Sequence, residues 1–263
     1  MRFDLRREAM KSNARRLPLR PHAGTGRYRW ARRLGDTGPE TAMPSERPTI
    51  PLLPAAARAR VERLLGSGRR TLLGLAGPPG AGKSTLAEAL LESYADGVQV
   101  VPMDGFHLAN AELQRLGRAA RKGAPDTFDS AGYVELLRRL RRQGEATTHG
   151  AAVVYAPAFR RDIEEPLAGA IPVFAHTRLI ITEGNYLLCE DAGWAPVAAL
   201  LDECWYLDGD EPLRRARLVR RHQDFGRSAS QASDWVAHTD EPNARLIAST
   251  RHRAHWVFRW NES

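Results

Sequence analysis

The sequence predicts an α/β fold in which a parallel β-sheet is covered by helices on both faces. Two observations lead to this prediction. Short apolar runs of strand length alternate with segments of helical periodicity along most of the chain, and this alternation is typical of parallel sheets. The runs are apolar throughout, as expected for strands that are buried on both faces. A chain of 263 residues can enclose such a sheet in one domain.

The first predicted elements surround a glycine-rich turn. Apolar residues at helical spacing predict a helix over residues 55–65, and the glycines that follow end it. The apolar run 71–76 predicts a buried strand. After the glycine-rich turn, the pattern indicates a helix over about 83–94 and then a second strand over 98–103. A strand, a glycine-rich turn and a helix therefore follow one another directly.

The middle of the chain continues the alternation. Residues 133–142 have the pattern of a helix with a basic face, and residues 152–155 that of a short strand. A longer apolar run over 179–182 predicts a strand that ends in Glu183. The run 204–207 predicts the next strand.

The last third of the chain is mainly helical in pattern. Helices are predicted over 212–222, 232–238 and 242–250, and a final strand over 256–258. No internal repeat occurs in the sequence.

Most of the net charge lies in an N-terminal tail. Residues 1–42 hold eleven Lys or Arg against four Asp or Glu, which is +7 of the total net charge of +8. The rest of the chain is nearly neutral, so we expect no basic surface for nucleic acid on the folded part. Residues 1–50 lack a sustained apolar pattern and are predicted to be mostly disordered. Residues 51–263 are predicted to form the domain.

The role of the tail stays open between three interpretations. It is a solvated segment without a specific role, or Met43 is the true first residue. Alternatively, it is an arm that binds nucleic acid or acidic partners by neutralising their charge.

The composition excludes several classes of protein. The chain has two cysteines, Cys189 and Cys204, which cannot form a disulfide framework and lack the spacing of metal ligands. We expect ordinary reduced thiols in a cytoplasmic protein. No run of about 18 apolar residues occurs, so we expect no membrane span. No apolar stretch follows the basic N-terminus, so we expect no secretory signal.

The strongest functional motif lies between the predicted strand 71–76 and the helix that follows. It reads Gly77, Pro78, Pro79, Gly80, Ala81, Gly82, Lys83, Ser84. This order fits a phosphate-binding loop, in which backbone N–H groups and the positive end of a helix surround phosphate oxygens. We predict that these residues and Thr85 bind ATP, that Lys83 contacts the β- and γ-phosphates, and that Ser84 holds Mg²⁺.

Other motifs narrow the class of phosphate-loop protein. A GTPase needs an Asn-Lys-x-Asp motif and an ABC-type ATPase needs Leu-Ser-Gly-Gly, and neither occurs in the chain. Two acids follow predicted strands, at the edge of the sheet where open α/β folds bind ligands. Asp104 is placed to accept the proton of an attacking hydroxyl group, and Glu183 to hold Mg²⁺ or its waters. The alternatives are a turn-capping aspartate and a salt-bridged glutamate.

A basic helix close to the same edge predicts a lid. Arg214, Arg217 and Arg221 fall on one face of the predicted helix 212–222. Such a face can clamp the charge of a phosphoryl group in transfer. We predict that Arg217 and Arg221 act in catalysis and that Arg214 binds ATP. The alternative is a solvated basic helix.

These motifs resemble the P-loop kinases that include phosphoribulokinase, uridine kinase and bacterial-type pantothenate kinase. Within them the chain is most similar to a nucleoside/nucleotide kinase-like branch, some of whose members are called fructose-transport kinases. The resemblance covers about residues 55–260. It is carried by residues 77–84, 103–108, 121–129, 155–160, 183–188 and 240–244.

The resemblance implies roles for individual residues. Asp104 occupies the general-base position and Glu183 that of the acid associated with Mg²⁺. His107 is either a substrate contact or a packed turn residue. The expected substrate-binding residues are Asp104, Phe106, His107, Arg121, Asp129, Tyr155, Arg160, Asn185 and Tyr186.

The sequence thus predicts a P-loop kinase with an Arg-bearing lid that transfers the γ-phosphoryl group of ATP to a hydroxyl of a small metabolite. A sugar or nucleoside acceptor is preferred over a pantothenate-like one. The rival hypothesis is an ATP-binding regulator or RNA-associated protein without metabolite kinase activity, and only the basic tail favours it. The expected partner is the small-molecule acceptor, with no membrane and no nucleic acid for the domain. A homodimer is compatible with these features.

Deletion of residues 1–42 should leave the melting temperature and the turnover of the domain nearly unchanged. The segment has no periodic apolar face, so it has little surface to bury. Thermal unfolding and ATP turnover of the full chain and of the truncated chain provide the comparison. A large fall in melting temperature would show instead that the tail docks on the domain.

Overall fold

The structure of the protein is a computed structural model. It describes residues 51–94, 96–145, 152–191 and 193–260. The predicted basic tail, residues 1–50, lies outside the described residues.

The described residues form seven strands and eight α-helices. The strands are β1 (Thr71–Ala76), β2 (Val98–Val100), β3 (Val154–Arg160), β4 (Glu165–Val173), β5 (Leu179–Gly184), β6 (Glu203–Leu207) and β7 (Trp256–Phe258). The helices are α1 (Ala55–Leu65), α2 (Lys83–Ser93), α3 (Asn110–Arg115), α4 (Ser130–Glu145), α5 (Pro196–Ala199), α6 (Glu211–Asp224), α7 (Ala229–Trp235) and α8 (Glu241–Ser249). A π-helical turn, Val236–Asp240, joins α7 to α8.

Five strands form one parallel sheet in the order β2-β5-β1-β6-β7. Every neighbouring pair in this sheet is parallel. The centre of the sheet is formed by β1 and β5, and every residue of both strands is buried. The parallel sheet that the apolar runs predicted is therefore confirmed.

Helices cover both faces of the sheet, as predicted. Successive residues of a strand point to opposite faces, and Leu72 and Leu73 accordingly belong to two separate apolar cores. The core on the Leu72 side includes Leu137 of α4. The core on the Leu73 side includes Val61 of α1 and Leu86 of α2.

Strands β3 and β4 form a separate antiparallel hairpin. The sequence predicted a short strand over 152–155, but β3 starts at Val154 and continues to Arg160. Strand β4 was not predicted at all. It contains two prolines and a glycine and has three exposed residues in its middle, so its sequence shows neither a continuous apolar run nor a regular alternation.

The second predicted strand is shorter than expected. The sequence predicted a strand over 98–103, whereas β2 ends at Val100 and Met103–Phe106 form a 3₁₀ turn. Pro102 precedes that turn and has no N–H group to donate to a strand ladder. Asp104 therefore lies on a tight turn beyond the strand.

The register of β1 and β5 positions the ends of both strands. Leu75 pairs with Glu183, and Ala76 pairs with Gly184. The predicted phosphate loop starts directly after Ala76. The loop and the Glu183 side chain consequently meet at the same edge of the sheet.

A buried arginine fixes the start of β1. Arg70 is 8% exposed, and its guanidinium donates hydrogen bonds of 2.6–3.0 Å to five oxygens. The acceptors are the carbonyls of Leu140, Phe174, Ala175 and Thr177 and the side chain of Gln143. Arg70 thus joins β1 to α4 and to the segment that precedes β5.

No helix among the described residues is both long and apolar enough to cross a membrane.

Replacing Arg70 with methionine should lower the free energy of unfolding by about 3–5 kcal/mol, because buried oxygens lose their donor. Arg69→Met is the matched control. Arg69 is an exposed partner of Asp202 at 2.7 Å, and the loss of such a pair costs about 1 kcal/mol or less. Urea denaturation of both variants measures the difference. Equal losses would show that Arg70 contributes no more than a surface charge.

Candidate active site

A large cavity among the described residues opens at the carboxyl edge of the parallel sheet. Its volume is about 1310 Å³, which exceeds the ~300–1,000 Å³ of a typical ligand pocket. Its walls come from the predicted phosphate loop, the turn that bears Asp104, the β3–β4 hairpin and α6. The cavity has room for a nucleotide and a second small molecule.

The predicted phosphate loop has the backbone conformation that its glycines allow. Gly80 and Gly82 have φ of 79° and 94°, values that strongly favour glycine. A Cβ at Gly80 would also come within 2.9 Å of the Arg214 carbonyl. Gly82 is the N-cap of α2, so the positive end of that helix faces the loop, as an anion site requires.

Lys83 is buried in this loop. The residue is only 7% exposed. Its ammonium group donates hydrogen bonds to the carbonyls of Gly77 at 2.9 Å and Pro78 at 3.1 Å and to Asn185 Oδ1 at 2.7 Å. Burial lowers the pKa of Lys83 to about 8, although the Glu183 and Asp104 carboxylates favour its charged form.

Ser84 and Glu183, the two predicted metal ligands, lie together. The Ser84 hydroxyl donates a hydrogen bond of 3.2 Å to Glu183 Oε1. Burial and the nearby Asp104 carboxylate raise the pKa of Glu183. A hydroxyl and a carboxylate are hard oxygen donors, and Mg²⁺ completes such a partial set with waters and phosphate oxygens. The residues therefore fit Mg²⁺.

Asp104 lines the cavity from the 3₁₀ turn after β2. Arg161 Nη2 donates to its Oδ2 at 3.2 Å. Burial raises the pKa of Asp104, but His107 when protonated and the positive charges of Arg161 and Lys83 lower it by more, so the pKa is below its usual value. Asp104 is therefore a carboxylate at neutral pH.

His107 is held by two aromatic rings. Its imidazole lies 4.0 Å from the ring of Phe128 and 4.6 Å from that of Phe159, between centroids. Its Nδ1 is 2.7 Å from the Asp104 carbonyl, which can only accept, so Nδ1 carries the hydrogen. Burial lowers the pKa of His107. Nε2 of the neutral ring is therefore a hydrogen-bond acceptor, and His107 lines the cavity.

Two of the three predicted lid arginines reach the cavity. Arg217 and Arg221 on α6 line it. Neither guanidinium forms an ion pair with a carboxylate of the described residues. Arg214, which we expected to bind ATP, lies outside the cavity lining. It is 4% exposed, forms an ion pair with Glu241 and donates to the Pro79 carbonyl at 3.3 Å. It supports the phosphate loop from behind.

Of the other predicted substrate-binding residues, Asn185 lines the cavity and three aromatic residues do not. Phe106 packs edge-on against Tyr133 at 5.3 Å. Tyr155 is 56% exposed on the hairpin. Tyr186 is fully buried and donates its hydroxyl to the Gly123 carbonyl.

Apart from Asp104, the charged residues predicted to bind substrate also lie outside the cavity lining. Arg121 pairs with Asp126. Arg160 pairs with Asp162 at the end of the hairpin. Asp129 accepts from the Gly132 N–H at 2.8 Å and so caps the start of α4. The structure gives these residues local structural contacts.

Sequence reasoning missed three charged residues that line the cavity. Arg161 and Glu164 lie in the turn between β3 and β4, whereas Lys122 lies outside the hairpin, next to the predicted Arg121. The missed strand β4 explains the first two, because a hairpin turn could not be placed without it. Lys122 had a signal: it is one of few lysines in an arginine-rich chain.

Comparisons with known proteins agree with the fold. No protein-family model matches the chain. A candidate uridine kinase from Schizosaccharomyces pombe is 35% identical over 190 residues, which are 69% of this chain and 78% of the relative. The ATP-dependent kinase-like protein notR' from Aspergillus versicolor is 37% identical over 155 residues, 57% of this chain and 88% of the relative.

Solved structures show the same architecture. A candidate fructose transport system kinase from Silicibacter sp. TM1040 is 36% identical and covers 79% of this chain and 100% of its own, with a TM-score of 0.68. YFH7 from Saccharomyces cerevisiae has a TM-score of 0.66 at 18% identity, over 79% of this chain and 99% of its own. The second likeness concerns the fold alone.

Binding of ADP without Mg²⁺ at pH 9 should take up close to one proton per nucleotide. Lys83 has a pKa of about 8 in the free protein and is mostly neutral at pH 9, whereas adjacent phosphates favour its charged form. At pH 7 it is charged in both states, so little uptake is expected. Calorimetric titration in two buffers of different ionisation enthalpy measures the protons.

Lys83→Arg is the control for this titration. A guanidinium stays charged throughout the range, so the variant should bind ADP at pH 9 without proton uptake. Equal uptake in the variant and the wild type would assign the proton to another group.

Proposed function

The chain belongs to the P-loop kinases, in the uridine kinase-like branch of its relatives, and from this membership we propose that it transfers the γ-phosphoryl group of ATP to a hydroxyl of a small metabolite. The main supporting observation is that Asp104 and the phosphate loop line the same cavity. A base and a nucleotide site in one enclosure are what a transfer between two substrates needs.

In the proposed reaction, ATP phosphates lie on the loop 77–84 and contact its backbone N–H groups. Lys83 exchanges its bonds to the Gly77 and Pro78 carbonyls and to Asn185 for phosphate oxygens. Arg217 and Arg221 donate hydrogen bonds to the phosphoryl group in transfer and neutralise its negative charge. Charge-assisted bonds between arginine and phosphate are strong. These cations bind and orient ATP.

The acceptor hydroxyl oxygen forms a bond to the γ-phosphorus. The bond between that phosphorus and the β,γ-bridging oxygen breaks, and ADP leaves with the electron pair. The hydroxyl proton passes to Asp104, which is ionised in the free protein and can accept it. Closure of α6 over the phosphates would exclude water, which otherwise competes with the acceptor.

Ser84 and Glu183 would hold Mg²⁺, through the hydroxyl and through the carboxylate or its bound waters. Bound there, the ion would neutralise negative charge that develops on the phosphates. The hydrogen bond between Ser84 and Glu183 already holds the two oxygens close together.

We propose a sugar or nucleoside as the acceptor in preference to a pantothenate-like molecule. One relative is described as a candidate uridine kinase and another as a candidate fructose transport system kinase. His107 supports a polyol, because a neutral Nε2 can accept a hydrogen bond from a hydroxyl. A screen of sugars, nucleosides and vitamin precursors for acceptor-dependent release of ADP tests the proposal. ATP hydrolysis that no acceptor accelerates would count against it.

Asp104→Asn should reduce turnover by about 10²–10⁴-fold with ATP affinity nearly unchanged. The amide preserves the size of the side chain and can still accept from Arg161, but it cannot take the proton. Glu183→Gln should instead raise the Mg²⁺ concentration that half-maximal turnover requires. Initial rates across a magnesium titration, with the acceptor from the screen, measure both effects.

Added Mg²⁺ should partly rescue Glu183→Gln and should not rescue Asp104→Asn. Rescue of Asp104→Asn alone, or equal rescue of both variants, would show that the roles of the two acids are reversed or merged.

A further inference from the structure

Arg161 has hydrogen-bonding capacity that the protein does not use. A guanidinium offers five N–H donors in a planar fork, but among the described residues Arg161 finds one acceptor, Asp104 Oδ2 at 3.2 Å. The side chain is 43% exposed and lines the cavity. The remaining N–H donors of a guanidinium can form two parallel hydrogen bonds to the oxygens of a carboxylate or a phosphate.

The turn that carries Arg161 is held in a strained conformation. Glu164 has φ of 51°, the one non-glycine residue with positive φ in the described part of the chain. Its carbonyl accepts from Lys122 Nζ and from Asn110 Nδ2. Strain of this kind persists where neighbours fix the backbone, and it concentrates at binding sites. Arg161 is therefore presented by a fixed turn.

The hairpin is also in backbone contact with the turn that bears Asp104. A Cβ on Gly105 would collide with the Pro157 carbonyl and approach the Ala158 nitrogen to 3.1 Å. The absent side chain lets β3 lie directly on the 3₁₀ turn. The backbone segments that carry Asp104 and Arg161 are consequently packed against each other.

Other charged side chains lie on the hairpin side of the cavity with Arg161: Lys122, and the Glu164 carboxylate 3.9 Å from its Nζ. Lys122 Nζ lies 5.1 Å and the Arg161 guanidinium 5.9 Å from the ring centroid of Phe159. Burial lowers the pKa of Arg221, and the like charge of Arg161 lowers it further. In the proposed function Lys83, Arg217 and Arg221 bind the ATP phosphates, which leaves Arg161 for the second substrate.

We propose that Arg161 binds an anionic group, a carboxylate or a phosphate, on the phosphoryl acceptor. This inference rests on the proposed function and narrows it: the acceptor is a sugar or nucleoside that carries a negative charge. In the empty site Arg161 pairs with Asp104. The acceptor anion draws the guanidinium toward itself and leaves Asp104 for the hydroxyl.

The kinetic test uses matched acceptor sets on wild-type protein, Arg161→Gln and the control Arg138→Gln. Arg138 is an exposed helix residue beside Glu135. Two sets hold a neutral, a carboxylated and a phosphorylated compound: ribose, ribonate and ribose 5-phosphate, and glycerol, glycerate and glycerol 3-phosphate. A third set is the pair of uridine and its 5′-phosphate. ADP release and product mass are measured.

An anionic acceptor should exceed its neutral counterpart in kcat/KM. Arg161→Gln should reduce that kcat/KM about 10- to 100-fold, chiefly through KM, as expected for the loss of hydrogen bonds to a charged group. The Kd for ADP should stay within about twofold of wild type, since other groups bind the nucleotide. Arg138→Gln should behave as wild type. Equal turnover of neutral and anionic acceptors, with an equal loss in Arg161→Gln, would overturn the proposal.

A binding test separates this inference from the proposed function. The protein is loaded with a non-hydrolysable ATP analogue that fills the γ-phosphate position, and inorganic phosphate or acetate is added. A rise in melting temperature in the wild type and Arg138→Gln, absent in Arg161→Gln, supports the anion site even if no acceptor is turned over. No rise in the wild type, or one that Arg161→Gln retains, refutes it. The more effective anion distinguishes phosphate from carboxylate.

Discussion

The pairing of β1 with β5 is the constraint on which the site depends. Leu75 pairs with Glu183 and Ala76 with Gly184. The phosphate loop therefore begins next to the last two residues of β5, one of which is Glu183. Because side chains alternate along a strand, a slip of one residue would turn Glu183 to the other face. The two apolar cores, one on each side of the sheet, resist that slip.

The predicted residues that line the cavity lie where the sequence pattern is regular. The loop 77–84, Asp104 and Glu183 lie at or just beyond the ends of predicted strands, and Arg217 and Arg221 lie on a helix of clear periodicity. Arg161 could not be predicted, because β4 has no regular apolar pattern. Arg214 was assigned to the cavity from helical spacing alone, but that spacing does not show that Glu241 lies behind the same helix face.

The bonds of Lys83 explain how the empty loop keeps its shape. Its ammonium group joins the Gly77 and Pro78 carbonyls to Asn185. In the proposed function, nucleotide binding is an exchange of these partners, and the gain in free energy is the difference between phosphate and carbonyl oxygens. A loop whose shape is already fixed by hydrogen bonds would lose little conformational freedom when phosphate binds.

The separation of the hairpin from the parallel sheet has an evolutionary consequence. Strands β3 and β4 pair only with each other among the described strands, while the phosphate machinery stands on the ends of β1 and β5. Under the proposed function, insertions or substitutions in the 161–164 turn would change the choice of acceptor while the ends of β1 and β5 keep their structure. Related chains would then differ in substrate through one short hairpin while they keep the same ATP site.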